Sequence, residues 1–372
     1  MKILFLQFWY DMYGGAETVN HTLANQFKSD GYEVKIECMY KCGNKEIIPD
    51  INYEKTCISL EPKRPSYKVM LKELVKLKIK DFNNDLKNCI KCRKNKFTSI
   101  KVLKNDINSF DPDWIIITNP EIVKYVPKNY LKKCLIHIHS GCEEYFTNPK
   151  LKKTKKILFK YENKIYKLIW LTKGFMEEGK KYGLKNSEYM YNPVRFKSKK
   201  VSTLDNNNIT FIGRIAPIKR VYLLSQIFNE MNNKNWNLNI YGSGRDKDIV
   251  RSKNIRLLGP TGKVKDVLLN SSVFALTSSS EGFPMVVLES YECGVPVIAF
   301  DFKVSSHEVI KNNETGFIIP MDNKDEYIKK LKLLCDDSNL RKEMGKKAKE
   351  YAKKFYPEEV SKRWYKLFRG EL

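Results

Sequence analysis

Residues 273–289 read VFALTSSSEGFPMVVLE, and this stretch contains the clearest structural pattern in the chain. Its first four residues, Val273–Leu276, form a continuous apolar run, as expected for a strand inside a parallel sheet. A polar loop follows, and Pro284 lies where a helix can begin, because proline is favoured in a first helical turn. A strand, a loop and a helix in this order are typical of a doubly wound α/β domain.

The same alternation extends outward over both halves of the chain. In the second half, strands are predicted at residues 209–212, 238–241, 255–258, 297–299 and 316–318, and helices at 221–231, 263–270, 284–292 and 325–335. In the first half, strands are predicted at 2–8, 31–36, 113–118, 134–139 and 168–171, and a helix at 16–28. A polar stretch at 197–208 separates the two series, so we expect two doubly wound domains that face each other.

Two carboxylates flank the start of the helix predicted after Pro284. Glu281 precedes the helix, and Glu289 falls about one and a half turns into it. The two side chains can therefore reach different parts of one extended ligand and accept hydrogen bonds from vicinal hydroxyls of a sugar or ribose. The helix N-terminus points free N–H groups at the same loop, which suits a phosphate. The structural alternative makes Glu281 an N-terminal cap and Glu289 a surface residue.

Basic residues follow the strand predicted at 209–212. Gly213 and Arg214 come directly after it, and Lys219 lies five residues later. Arginine and lysine at the carboxyl edge of a strand suit a diphosphate group. The alternative is an ordinary surface loop that carries two common cations.

Glycine turns and a histidine pair follow other predicted strands. Gly14-Gly15 comes after the first strand and Gly242-Ser243-Gly244 after the strand at 238–241. Each turn allows a ligand to approach the backbone closely, although neither is a full dinucleotide fingerprint. At the end of the strand predicted at 134–139, we expect His137 to be a buried structural residue and His139 to face the ligand site.

The composition points to anionic partners. The chain has 68 Lys and Arg against 43 Asp and Glu, a formal net charge of +25. Such a charge suits phosphorylated substrates, acidic membrane surfaces or nucleic acid, and a compositional bias toward Lys, Asn and Ile is the alternative. The segment 63–104 alone holds 14 Lys or Arg against three Asp or Glu. It resembles a basic amphipathic helix, which either packs on the sheet or meets an anionic membrane.

Other patterns argue against metal, disulfide and membrane-spanning roles. The nine cysteines are scattered, and Cys89-Ile-Lys-Cys92 lacks a second pair at zinc-site spacing. Asp111-Pro112-Asp113 is interpreted as a turn rather than a metal-binding D-x-D. No apolar run reaches the roughly 20 residues of a membrane span, and the first strand is too short for a signal peptide. We expect a cytoplasmic protein, or one peripheral on the cytoplasmic face of the membrane.

Taken together, these motifs resemble the retaining glycosyltransferases of family 4, in the GT-B superfamily. The matching segments are Gly14-Gly15, His139, Gly213-Arg214 with Lys219, Gly242-Ser243-Gly244, Glu281 with Glu289, Gly294-Val295-Pro296-Val297-Ile298 and Glu314-Thr315-Gly316-Phe317. The resemblance is detailed over about 209–355 and looser before. One departure is Arg220, since the family often has Lys-Gly where this chain has Lys219-Arg220. Arg220 either adds charge near a diphosphate or faces solvent.

The resemblance implies an α/β fold of GT-B type, with two Rossmann-like domains facing across a cleft. Residues 1–195 with the terminal helix 357–372 would bind the acceptor, and residues 196–356 the donor. Arg214 and Lys219 would hold the donor diphosphate, Glu289 the ribose and Glu281 the sugar, with His139 near the scissile bond. The further donor contacts implied are Gly14, Gly15, Gly213, Gly242, Ser243, Gly259, Thr261, Gly282, Phe283, Pro284, Met285 and Val286.

The expected activity is retaining transfer of a hexosyl or N-acetylhexosaminyl group from a nucleotide-sugar, most simply a UDP-sugar, without a metal or other cofactor. The expected acceptor is a lipid-linked or cell-surface polysaccharide precursor. The alternatives are a soluble sugar, sugar phosphate or protein acceptor, and a sugar-nucleotide epimerase, for which no separate acid/base carboxylates are evident. Specific nucleic-acid binding is disfavoured, because Lys greatly outnumbers Arg and no RNA motif is recognisable.

Overall fold

The computed structural model describes residues 1–9, 14–41, 53–60, 98–244 and 248–372. Contacts divide the chain into two units, one of Met1–Ile138 with Lys153–Ile169 and the other of His139–Lys152 with Trp170–Leu372. The domain division at 195/196 stays a prediction.

Most of the basic segment 63–104 lies outside the described residues, as does the Cys89–Cys92 motif. The described residues of that segment, 98–104, lie in a helix over 98–110. In the described part of the chain, no helix is long and apolar enough to cross a membrane.

The first sheet has seven strands in the order β3-β2-β1-β4-β5-β6-β7. The strands are β1 (Lys2–Trp9), β2 (Glu33–Lys41), β3 (Glu54–Leu60), β4 (Trp114–Ile117), β5 (Cys134–His137), β6 (Lys167–Trp170) and β7 (Ser187–Tyr189). The prediction of the five strands β1, β2, β4, β5 and β6 is confirmed, with ends shifted by a few residues. β3 and β7 were missed, because β3 reads Glu-Lys-Thr-Cys-Ile-Ser-Leu and β7 has only three residues.

The second sheet has six parallel strands in the order β10-β9-β8-β11-β12-β13. They are β8 (Asn208–Ile212), β9 (Asn237–Tyr241), β10 (Ile255–Gly259), β11 (Val273–Leu276), β12 (Val297–Phe300) and β13 (Gly316–Ile319). All six predicted strands are confirmed, each end within one residue. The strand order reverses between β8 and β11, and this reversal defines a doubly wound Rossmann-like sheet.

Helices connect the strands of both sheets. They span Gly15–Ser29, 98–110, Cys142–Thr147, Lys152–Tyr161, Lys173–Lys181, Val221–Met231, Val264–Leu269, Met285–Glu292, Val304–Val309, Lys324–Asp336, Ser338–Ala352 and Pro357–Phe368. Every residue of β5, β11 and β12 is buried, as expected for strands covered by helices on both faces. A 3₁₀ turn at Lys353–Phe355 ends just before Pro357, which starts the last helix and confirms the predicted division of the C-terminal segment.

Gly294 ends the helix that follows the Glu281 loop. Its φ is +69°, and its N–H bonds to Tyr291 O at 2.8 Å while Val295 N–H bonds to Ser290 O at 2.9 Å. This is the Schellman arrangement, in which glycine is favoured because its left-handed conformation carries no Cβ penalty. The helix Ser338–Ala352 crosses at this point, and a Cβ placed on its Gly345 would lie 2.3 Å from Gly294 O.

Replacing Gly345 by a branched residue tests this close crossing. Gly345→Val is expected to lower the free energy of unfolding by about 2 kcal/mol, because the backbone of Gly294 has to move. Lys346→Val on the exposed face of the same helix is the control, with a change below about 0.7 kcal/mol. Chemical denaturation measures both, and equal effects would contradict the assigned contact.

Candidate active site

The loops that leave β8 and β11 lie side by side at the carboxyl edge of the second sheet. These strands are neighbours, and the chain proceeds from them toward opposite edges of the sheet. Such a reversal opens a crevice outside the carboxyl ends of the strands, where open α/β sheets bind their ligands. The loop after β8 carries Gly213 to Arg220, and the loop after β11 carries Thr277 to Pro284.

An ion pair joins the two loops. Lys219 Nζ lies 2.6 Å from Glu281 Oε1 and 2.7 Å from Oε2, and the two side chains are 22% and 9% exposed. Thr277 Oγ1 donates to the carbonyl oxygens of Lys219 and Arg220 at 3.1 and 2.9 Å. The structure therefore brings together the cation predicted for a diphosphate and the carboxylate predicted for a sugar.

The structural alternatives for the two glutamates are wrong. The N-cap of the helix Met285–Glu292 is Pro284, in an extended conformation, and no side chain caps this helix. Glu281 is held by Lys219 instead, and its own carbonyl oxygen accepts a 2.9 Å hydrogen bond from Ser305 Oγ. Glu289 is only 4% exposed, so it is not a surface residue.

Arg220 has partners that the sequence did not indicate. Its φ and ψ are 51° and 42°, a left-handed conformation that favours glycine. Its guanidinium is paired with Asp322 and lies over the Phe300 ring at 5.5 Å. The side chain therefore does not face solvent freely, being only 16% exposed, and its role near a diphosphate stays a prediction. Arg214, in contrast, is exposed on the same loop.

The Gly242-Ser243-Gly244 turn packs against the loop after β8. A Cβ on Gly242 would lie 1.8 Å from Gly213 O, and one on Gly244 would lie 1.9 Å from Ile215 O. Ile215 N–H donates to Ser243 O at 2.8 Å. These glycines are therefore required by contacts within the protein itself, and not only by a ligand as the sequence suggested.

The turn after β10 extends this packing. Gly242 N–H donates to Gly259 O at 2.9 Å, and Gly259 has a φ of +72°. Thr261 Oγ1 accepts a 3.0 Å hydrogen bond from Lys263 N–H. The loops after β8, β9 and β10 thus form a continuous backbone stack, and the donor contacts assigned to Gly242, Ser243, Gly259 and Thr261 stay predictions.

His139 lies against the loop that carries Glu281. A Cβ on Gly282 would be 3.0 Å from His139 O, so glycine allows the two backbones to approach. Burial lowers the pKa of His139 to about 3, and the imidazole is therefore neutral at pH 7. His137, the last residue of β5, is fully buried as predicted.

Aromatic packing fixes the remainder of this loop. Phe283 is buried, and its ring centroid lies 5.9 Å from those of Tyr191 and Phe355. Met285 and Val286 form the first turn of the following helix and are partly exposed. Their N–H groups have no intrahelical acceptor, since the first four N–H groups of a helix lack one.

Glu289 has a partner that the sequence interpretation missed. Arg195 Nε lies 3.1 Å from Glu289 Oε1. Burial raises the pKa of Glu289 to about 7, and the charge of Arg195 opposes that rise. Arg195 was missed because it belongs to no motif. The only available signal was its place beside Asn192-Pro193-Val194, immediately before the polar stretch.

The predicted glycine turn of the first half lies in the other unit. Gly14 is the N-cap of the helix Gly15–Ser29 and has an extended backbone, with φ of −119° and ψ of 171°. A Cβ on Gly15 would meet nothing within 4 Å. The donor contact predicted for these glycines stays a prediction.

The described residues contain no group of three or more His, Cys, Asp or Glu side chains arranged to hold a metal ion. Asp111 and Asp113 lie in the turn that was predicted for them. Asp111 has a φ of 46° and accepts a 2.8 Å hydrogen bond from Tyr130 Oη, and Asp113 accepts a 2.7 Å bond from Lys2 N–H. Metal independence of the activity stays a prediction.

The paired residues of this site lie within a part of the chain that is similar to a known protein family. Residues 194–351 match the family model for glycosyl transferases group 1, a range that includes both paired glutamates and both of their cations. Over these residues, which make up less than half of the chain, the sequence is similar to the group 1 glycosyltransferases.

Similarity to curated proteins extends beyond residues 194–351. An uncharacterized glycosyltransferase of Haemophilus influenzae is 24% identical over 367 residues, 94% of this chain and 95% of the relative. The poly(ribitol-phosphate) alpha-N-acetylglucosaminyltransferase of Staphylococcus aureus is 26% identical over 306 residues, 78% of this chain and 60% of the relative.

A solved structure supports the GT-B fold. A variant of S. aureus TarM, crystallised with fondaparinux, alpha-GlcNAc-glycerol and UDP, superposes with a TM-score of 0.77 at 17% identity, covering 99% of each chain. The chain therefore has the two Rossmann-like α/β domains of GT-B enzymes.

The left-handed backbone at Arg220 predicts that a glycine variant is more stable than an alanine variant. Arg220→Gly and Arg220→Ala both lose the contacts to Asp322 and Phe300, but only glycine adopts this conformation without strain. We expect the glycine variant to be more stable than the alanine variant by about 1 kcal/mol. Thermal or chemical unfolding of the pair decides the question, and an alanine variant of equal or greater stability would contradict it.

Proposed function

We propose that this protein is a glycosyltransferase that transfers a hexosyl or N-acetylhexosaminyl group from a UDP-sugar to a lipid-linked or cell-surface polysaccharide precursor, with retention of configuration and without a metal. The observation that carries the donor half of the proposal is the Lys219–Glu281 ion pair at the reversal of the second sheet. It holds side by side a cation suited to a diphosphate and a carboxylate suited to sugar hydroxyls.

The cations would act on the leaving group. When the bond between the anomeric carbon and the diphosphate oxygen breaks, negative charge grows on the departing nucleoside diphosphate. Lys219 is fixed by its ion pair and Arg214 is exposed on the same loop, so both can meet that charge. Groups placed in advance where charge develops are an effective source of catalysis. The N–H groups of Met285 and Val286 add the positive end of a helix.

Glu281 would bind the sugar after an exchange of partners. Its carboxylate is paired with Lys219, which avoids a costly unpaired charge in a largely buried position. An entering donor offers its diphosphate to Lys219 and its hydroxyl groups to Glu281. Both partners of the ion pair then gain new ligands, and neither is left unpaired.

Glu289 and His139 would complete the donor site. The resemblance assigns Glu289 to the ribose, and its burial against Arg195 suits hydrogen bonds from hydroxyl groups. A neutral His139 can exchange hydrogen bonds with the sugar without attracting the diphosphate away from Lys219 and Arg214. No side chain is assigned as a nucleophile.

Two similar proteins support a UDP-sugar as the donor and an anionic polymer as the acceptor. The TarM structure contains UDP and alpha-GlcNAc-glycerol, and the S. aureus relative is named for adding N-acetylglucosamine to poly(ribitol-phosphate). Poly(ribitol-phosphate) is a polyanion, and the net charge of +25 of this chain is complementary to such a polymer.

A screen of donors tests the proposal directly. UDP-, GDP- and ADP-sugars are incubated with the purified enzyme, with and without a polymeric, lipid-linked or soluble acceptor. The expected result is release of UDP that depends on acceptor, with the product linkage retaining the donor configuration. Transfer from a GDP- or ADP-sugar alone contradicts the donor, and conversion of the UDP-sugar to its epimer without acceptor supports the epimerase alternative.

Alanine variants of the donor site should lose activity without losing the fold. Glu281→Ala, Lys219→Ala and Arg214→Ala are each expected to reduce turnover by about 100-fold, because each removes a group that meets the sugar or the leaving charge. Lys329→Ala is the control, since that side chain is 77% exposed on the helix Lys324–Asp336. Near-normal turnover in all three variants would refute the site assignment.

Binding to acidic vesicles tests the membrane part of the proposal. Each cation near an anionic surface contributes roughly 1 kcal/mol, so the enzyme is expected to cosediment with phosphatidylserine vesicles, less at high salt, and not with neutral vesicles. No cosedimentation with acidic vesicles at near-physiological salt would remove the membrane surface from the proposal and leave the donor chemistry intact.

A further inference from the structure

Arg195 is fixed in place by the segment around it. Val194 N–H donates to Phe355 O at 2.8 Å on one side. On the other side, Ser198 N–H bonds to the Glu292 carboxylate, and Ser202 N–H donates to Cys293 O at 2.8 Å. These bonds bracket Arg195 and fix its backbone beside the helix Met285–Glu292, where its Nε lies 3.1 Å from Glu289 Oε1.

Two buried glutamates on this helix have different surroundings. Glu292 is fully buried, and Lys349 Nζ lies 2.5 Å from its Oε1 while also binding the carbonyl oxygens of Ser198 and Glu292. The Glu292 carboxylate is therefore closed to a ligand, although the Lys349 side chain is itself 23% exposed. Glu289 faces Arg195, whose side chain is 21% exposed while that of Glu289 is 5% exposed. The two cations are about equally exposed, so the pairs differ in their carboxylates: that of Glu289 retains some exposure to a ligand, and that of Glu292 has none.

We propose that Arg195 is a positioning residue for nucleotide binding: its guanidinium holds the Glu289 carboxylate charged and oriented toward the ribose hydroxyls of the donor. The inference rests on the proposed function, which assigns Glu289 to the ribose. A charged carboxylate accepts hydrogen bonds from both ribose hydroxyls, and such bonds are roughly twice as strong as those to a neutral acid. Without its cation, a buried carboxyl group takes up a proton instead.

The effect of pH has a definite sign. Burial raises the pKa of Glu289 to about 7, and Arg195 opposes this rise, so removing Arg195 raises the pKa further. At pH 7 Glu289 is therefore partly ionised in the wild type and mostly protonated in the variant, and a higher pH restores the carboxylate in both. Three other titratable groups lie nearby. Cys293 is one turn along the same helix, Lys349 pairs with Glu292, and Lys265 lies beside Cys293.

The experiment compares binding of two probes by calorimetry between pH 6 and pH 9. UDP carries the ribose hydroxyls, and 2′,3′-dideoxy-UDP lacks them. Arg195→Met is expected to weaken UDP binding about tenfold at pH 7, the equivalent of one pKa unit, and by much less at pH 9. Binding of the dideoxy probe is expected to be unchanged, and the KM for the donor should rise while kcat stays nearly constant.

Two further variants make the test decisive. Arg195→Lys keeps the charge and is expected to restore most of the UDP affinity. Lys197→Met removes one charge two residues away, where Lys197 pairs with Glu358 and is half exposed, and it should leave both probes unaffected. If Arg195→Met weakens both probes equally, Arg195 acts on the diphosphate, the base or the fold, and the inference is overturned.

The remaining outcomes separate this inference from the proposed function. Unchanged UDP affinity in Arg195→Met, with normal binding by the wild type, overturns the role of Arg195 and leaves the proposed function standing. If the wild type binds no UDP and transfers from no UDP-sugar, the proposed donor fails and the inference falls with it. A loss of UDP affinity that persists at pH 9 contradicts the charge-holding role.

Discussion

The ion pair between Lys219 and Glu281 is the constraint on which the arrangement of the proposed donor site depends. It closes the gap between two loops that leave adjacent strands in opposite directions. A half-buried ion pair contributes little net stability, since desolvation offsets most of its attraction. Its position is therefore better explained by ligand binding than by stability. In the proposed site, each charge compensates the other until groups of a substrate take over these contacts.

Backbone contacts around this ion pair hold the neighbouring loops at fixed distances. The turn at Gly242–Gly244 lies directly on the loop that carries Lys219, and Gly259 lies on that turn. On the other side, Gly282 lies on the backbone of His139. The loops that carry the charged groups are thus in close backbone contact at glycines. Because this packing is tight, a small displacement of one loop displaces its neighbour.

The sequence predicted the second sheet well, because its strands are continuous apolar runs and its helices have clear limits, as at Val221–Met231. β3 was missed because its charged and small residues do not form an apolar run. The pairing of Lys219 with Glu281 and of Arg195 with Glu289 could not be predicted, since each joins residues more than 60 positions apart without a shared motif. Motifs identify which side chains matter, and only packing shows which of them meet.

The backbone stack of Gly213, Gly242 and Gly259 also limits how such an enzyme can change its substrate. A wall made of peptide groups would recognise the shape and hydrogen-bonding pattern of a donor bound as proposed, and a substitution at Gly242 would force the loops apart, because its Cβ would lie 1.8 Å from Gly213 O. Variation in sugar preference within this architecture therefore has to arise at side chains around the stack. Because the stack itself stays unchanged, side chains around it can be replaced by those of related enzymes, one position at a time, without rebuilding the domain.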